Sequence, residues 1–267
     1  MTCLFLPHLH VRTANTLHAS FLVGGPPVMP AYFFMHALCR KTGKNVDVKS
    51  VALIHHEMTL LGEPFFGRFS FQQRRGAAYT FTNRNKKDYS SKNEHALSLQ
   101  PTASAHLHIS LMAEIDSSVS TERVKTFLSS GRFSGGQIVS FGEPEILYPE
   151  EALEKTGSGY LVIDRKDLME VQAGDKRNPA QLLVDHLSAR PEKDSGNGWL
   201  SAACVGYAAI TPYALRAGAR EGYEHAFAEP LIGLVQYRSL RQIDGEADTL
   251  FWKPEWLRDD VFRLHQD

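Results

Sequence analysis

The sequence predicts an α+β domain of the ferredoxin-like kind, and three observations near its start carry that prediction. The opening stretch TCLFLPHLHVR places Leu4, Leu6, Leu9 and Val11 as the core positions of a strand. Ala31, Phe34, Met35 and Leu38 then recur at helical spacing. The apolar run VDVKSVALIHHEMTLL at 46–61 follows as a second strand. The first sixty residues therefore read β-α-β, the opening half of a ferredoxin-like fold.

Each later element follows from its own pattern. A Gly-Pro-rich turn at 24–30 precedes the first helix, Arg40 and Lys41 occupy its last turn, and Gly43 stops it. Residues 65–87, FFGRFSFQQRRGAAYTFTNRNKK, interleave aromatic and basic residues and read as a hairpin projecting from the sheet. In ASAHLHISLMAEI at 103–115, Leu107, Ile109 and Leu111 alternate with more polar neighbours, a strand. A helix at 121–130 has capping residues before it between Asp116 and Thr121. The glycine-rich turn GRFSGGQI leads from it into a strand at 137–141, giving a second β-α-β. Residues 171–198 are polar and broken by Gly and Pro, an exposed excursion with one short helix around 179–189. The apolar stretches 199–212 and 228–240 return to strand-like sequence, so the chain reads as one domain over 1–267.

Bulk properties exclude several classes. An apolar fraction of 43% and a charged fraction of 22% are those of a globular chain. No apolar run approaches the ~18–20 residues of a membrane span. MTCLFLPHLHVR has no basic segment before its apolar residues, so no secretory signal is expected. Three scattered cysteines without CxxC spacing point to a reducing, cytoplasmic setting. Charge is uneven: residues 1–100 hold 12 Lys and Arg against 5 Asp and Glu, and the remainder 17 against 25. Seven of the 12 histidines also lie in the first hundred residues. The N-terminal part has the electrostatics to meet phosphates.

Three segments have RNA-binding chemistry. Arg12 forks onto phosphate, and Asn15 reads a base edge or a 2′-hydroxyl. The segment from Arg74 to Lys87 holds Arg74, Arg75, Arg84, Lys86 and Lys87 around Tyr79 and Phe81, with no acid before Asp88. Cations for phosphates and flat rings for splayed bases are what single-stranded RNA requires. The turn Arg132-Phe133-Ser134-Gly135-Gly136 allows close backbone approach with free amides. It matches neither a phosphate-binding Walker loop nor GxGxxG, so no nucleotide cofactor is expected. His8/His10 and His106/His108 are i,i+2 pairs with ligand-like spacing, but a metal needs a third convergent ligand that spacing does not supply. No metal is expected. An alternative reading comes from two His-x-Ser-apolar tetrads, His18-Ala-Ser-Phe and His108-Ile-Ser-Leu. Those are the parts of a two-histidine RNA phosphoesterase, one imidazole acting as base and one as acid.

A set of short motifs in order along the chain carries a resemblance. They are Leu6-Pro7-x-Leu9, Thr13-Ala14-Asn15, His36-Ala37-Leu38-x-Arg40-Lys41, Thr82-Asn83-Arg84-Asn85, Ala105-His106-Leu107, Ser134-Gly135-Gly136, Gly198-Trp199-Leu200 and Gly206-Tyr207-Ala208-Ala209. Together they resemble the Cas-five-type (Csy-two) backbone subunit of type I-F CRISPR surveillance complexes. The resemblance implies an RRM-like, repeat-associated RNA-binding core with a protruding basic hairpin. It also implies a non-catalytic role: gripping the 5′ repeat-derived handle of the CRISPR guide RNA and capping one end of the filament. The implied neighbours are a backbone subunit and a large subunit, with target DNA met indirectly. The implied RNA contacts are Arg12, Asn15, Arg74, Arg75, Tyr79, Asn83, Arg84, Lys86, Arg132, Ser134, Gly135 and Gly136. Two departures stand out. Thr13 replaces the first Asn of the family's Asn-Ala-Asn, so only Asn15 carries over, and the helical insertion before Trp199 is shortened.

Overall fold

The computed structural model describes residues 2–19, 21–43, 46–71, 74–75, 99–100, 102–115, 119–170, 177–190, 198–219, 222–243 and 250–267. Its elements run β1 (Cys3–Asn15), β2 (Leu17–Ala19), β3 (Leu22–Val23), α1 (Val28–Thr42), β4 (Val48–Leu60), β5 (Gly62–Phe65), β6 (Arg68–Phe71), β7 (Arg74–Arg75), β8 (Leu99–Gln100) and β9 (Ser104–Ile115). They continue with α2 (Thr121–Ser130), β10 (Arg132–Phe133), β11 (Gly136–Ser140), β12 (Glu145–Leu147), α3 (Pro149–Thr156), β13 (Tyr160–Asp164), α4 (Pro179–Ser188), β14 (Leu200–Ala209), β15 (Ala228–Ser239), β16 (Lys253–Arg258) and β17 (Val261–His265). Single 3-10 turns lie at Lys166–Met169 and Leu240–Gln242.

One large antiparallel sheet dominates an α+β architecture. Its strand order is β10-β11-β1-β9-β4-β13-β15-β14-β17-β16, with β12 pairing the start of β1. The N-terminal part follows the order β11-β1-β9-β4, with α1 linking β1 to β4 and α2 linking β9 to β11. Both helices cover one face. Met29, Met35 and Leu38 of α1 and Val124 and Leu128 of α2 bury against Leu4, Leu6, Leu9, Leu53, Ile109 and Leu111. On the opposite face, α3 covers only one end of the strands, where Ala152 packs with Cys3, Phe5, Ile54 and Met112. Past that end this face carries polar residues.

Most predicted elements form, with shifted ends. Helix α1 begins at Val28 rather than after Pro30, because proline in a first helical turn loses no hydrogen bond the helix needs. Helix α2 spans the predicted 121–130. The segment FFGRF, at the start of the stretch read as a projecting hairpin, holds a turn of its own. β5 and β6 form a tight hairpin closed by Phe66 and Gly67, both at positive φ. A two-residue loop with both φ positive has the twist that a hairpin favours. β7 pairs with β8, holding Arg74–Arg75 antiparallel to Leu99–Gln100. No described helix is long and apolar enough to cross a membrane.

Candidate nucleic-acid interface

The candidate interface lies at the far end of β1, where the loop between β10 and β11 passes close to the strand. Gly131 caps α2, and its N–H donates to the Leu128 carbonyl. Phe133 is fully buried against Phe34, which anchors the following turn. Ser134 and Gly135 make that turn with φ of 46° and 76°, a two-residue hairpin loop in the left-handed region. Left-handed backbone costs serine energy. Two hydrogen bonds offset it: Asn15 N–H donates to the Ser134 carbonyl at 2.7 Å, and Ser134 Oγ donates to the Asn15 carbonyl at 2.8 Å. Gly136 lies directly on β1. A Cβ there would fall 2.6 Å from both the Arg12 carbonyl oxygen and the Ala14 nitrogen, so only glycine fits.

This staple aligns two cations. Arg12 on β1 and Arg132 on β10 both pair with Gln137 on the intervening β11. All three are exposed, and neither guanidinium has an ion-pair or hydrogen-bond partner among the described residues. Strands lie about 4.8 Å apart, so the two arginines stand roughly 10 Å apart on one face. The next row along the same face runs Ser140, His10, His108 and Glu57 across β11, β1, β9 and β4. His10 stacks on His108 with ring centroids 4.0 Å apart. His106 is exposed beside them, accepting the Thr13 N–H at 3.3 Å.

Of the sequence-derived contacts, Arg12, Asn15, Arg132, Ser134, Gly135 and Gly136 thus meet in one place. Asn15 does so partly as a turn former: its Oδ1 accepts the Leu17 N–H and its Nδ2 donates to the Leu17 carbonyl. The backbone of Arg74 and Arg75 lies in the β7–β8 ladder, separate from this turn in the strand order. Tyr79, Asn83, Arg84 and Lys86 lie outside the described residues.

The histidines divide between the two faces. His55 is buried on the helix-bearing side against Tyr237, with ring centroids 5.3 Å apart. Burial first, then the neighbouring His56 and His18, push its pKa down to about 3. His18 neighbours it, also held below the normal range by burial. His108 faces the opposite side, next to His8, His10 and His56. Burial, then the His56, His10 and His8 imidazoles, lower the His108 pKa to about 4. The ring neighbours of His108 are thus His8, His10 and His56, while His18 neighbours His55.

Sequence reasoning missed the role of His56, which joins the His8–His108 group instead of completing either i,i+2 pair. A signal was present. Leu4 and Leu6 are followed by Leu9 and Val11, a phase break that marks a bulge at Pro7-His8, and both pairs bury on the same face.

No curated protein matches the chain. The family model described as CRISPR-associated protein (Cas_Csy2) matches residues 4–263 of its 267, and with nearly the whole fold so covered, the chain belongs to the Csy2 family of CRISPR-associated proteins.

Proposed function

We propose that the chain is a non-catalytic, RNA-binding subunit of a type I-F-like CRISPR effector complex, holding the 5′ repeat-derived handle of the guide RNA at one end of the backbone filament. The observation that carries this reading is the Arg12–Gln137–Arg132 row on an uncovered sheet face beside the stapled glycine turn. Exposed guanidiniums engage phosphates, while the adjacent imidazoles and amide present flat or hydrogen-bonding groups to unstacked bases. The order β11-β1-β9-β4 with crossover helices α1 and α2 supports a ferredoxin-like core. Arg74 and Arg75, with Tyr79, Asn83, Arg84 and Lys86, extend the grip along the RNA from the basic insertion. An aromatic groove of Tyr32, Phe33, Tyr207, Trp256 and Phe262 supports docking of a protein neighbour, a backbone or large subunit, away from the RNA. Target DNA is then met only indirectly, and the assembly works in the cytoplasm.

The phosphoesterase alternative requires His18 and His108 at one phosphate. The ring neighbours of His108 are His8, His10 and His56 rather than His18, which supports binding over cleavage.

The direct test is co-expression with a CRISPR repeat RNA and the neighbouring effector subunits, followed by sequencing of RNA that survives stringent washing. A uniform 5′ repeat tag is expected. Retention of no RNA, or of RNA without a defined end, would contradict the proposal.

A further inference from the structure

We propose that His8, His56 and His108 form a binding site for one divalent transition-metal ion of the zinc class. One nitrogen from each ring lies within 4.8 Å of the others, and His8 Nδ1 is 3.0 Å from His108 Nε2. Tetrahedral zinc with nitrogens at about 2.0–2.1 Å spaces its donors roughly 3.3 Å apart, so small ring rotations suffice to close the set.

The convergence is built by backbone. β9 carries His108 between two strands that each break register beside it. On β1 the break falls between Leu6 and Leu9, and His8 sits at φ 52°, a conformation rare for a residue with a Cβ. On β4 the break falls between His55 and Glu57, which makes His56 the extra residue. Bulges re-aim side chains, and here both aim an imidazole at the same neighbour. Without them, strict alternation would not place three histidines from three strands around one point.

The surrounding groups fit a metal ligand set. His56 Nδ1 lies 2.8 Å from the Ser158 carbonyl, which fixes the proton on Nδ1 and leaves the Nε2 lone pair for the cluster. Gly159 permits that approach, since a Cβ there would fall 2.7 Å from Ile54 Cγ2 and 3.1 Å from His56 Nδ1. Ser110, fully buried, accepts the His8 N–H at 2.9 Å, and with the His56 proton on Nδ1 its hydroxyl donates to His56 Nε2 at 2.8 Å, a bond that the ion would replace. Neutral imidazole is the ligating form. All three rings are half-buried, which leaves the group reachable from solvent.

The test uses the full-length chain without an affinity tag, stripped with chelator and reloaded with Zn2+ or Co2+. One equivalent of Zn2+ is expected, with the intense visible absorption of tetrahedral Co2+ in the cobalt form. His56→Gln and His108→Gln should each lose at least about tenfold in Zn2+ affinity, no less than removal of an outer-shell partner costs, while His106→Gln retains it. X-ray absorption at the zinc edge of the wild-type protein, which needs no variant to fold, should report three imidazole nitrogens at about 2.0–2.1 Å. Equal loading of wild type and His108→Gln, or fewer than three imidazoles around zinc, would overturn the proposal. It stands or falls independently of RNA binding, because every readout is of metal on protein alone.

Discussion

The two faces of β1, β9 and β4 are made from the same three strands yet do opposite things. One face presents Leu4, Leu6, Leu9, Val11, Leu53, Leu107, Ile109 and Leu111 to two helices and is dry. The other presents Phe5, Ile54 and Met112 to α3 at one end, then His8, His56 and His108, then Arg12 and Gln137 in the open. The difference lies in coverage and in bulges. Where α1 and α2 lie, the strands keep buried and partly buried residues facing them across register breaks: Leu6 to Leu9 on β1, and Leu53, His55 and Met58 on β4. The extra residues at those breaks, His8 and His56, are displaced towards the open face. One distortion thus preserves a core on one side and gathers polar groups on the other.

The largest expected effect tests that division. Leu6→Ala, on the covered face, should cost about 2–5 kcal/mol in denaturant unfolding because a cavity is left between β1 and α1. Arg12→Ala, on the open face of the same strand, should stay within about 0.5 kcal/mol of wild type. A comparable loss from Arg12→Ala would mean that the open face is structural.

Gly136→Val should come next. Its Cβ would meet β1 backbone at 2.6 Å, and overpacking of this kind costs about 1–3 kcal/mol. Because the turn also positions Arg132, RNA affinity should fall along with the melting temperature. A variant that melts normally would show that the β10–β11 turn does not depend on its contact with β1.

A third prediction concerns His55, buried on the covered side, and its neighbour His18. Both are held below the unfolded value of about 6.5, so the unfolded chain binds more protons in acid. Their contribution is complete above about pH 6.5 and is lost as pH falls; for His55 the loss runs at roughly 1.4 kcal/mol per pH unit until it protonates near its folded value of about 3. Urea unfolding at about pH 7 and about pH 5.5, with chelator present, should show the loss. His55→Phe should have a shallower dependence than wild type.

The sequence shows the fold well where periodicity is strong. Helix α2, the strand of Leu107, Ile109 and Leu111, and the late strands β14 and β15 are all legible. It shows less where packing, capping or pairing decides. Helix α3 buries just Pro149, Ala152 and Thr156 and rests on proline at its start with the Glu151 carboxylate accepting the Tyr148 N–H. β16 and β17 are short and charged, and their cross-strand Glu255–Arg263 pair hides the pattern. For the interface, residue chemistry picked out Arg12 and the glycine turn. That these sit together follows from strand order, because β10 and β11 return beside β1 only after more than a hundred residues. The three-histidine group was least legible, since i,i+2 spacing favours pairs within one strand and the observed group takes one histidine from each of three.

The measurement that bears most directly on the central claim is guide-RNA affinity as a function of salt, for wild type and the double variant Arg12→Glu, Arg132→Glu. The account predicts markedly weaker binding, a log–log salt slope reduced by about 0.7 for each phosphate no longer neutralised, and an unchanged melting temperature. Wild-type affinity with an unchanged slope would contradict it, and would move the RNA off this face of the sheet.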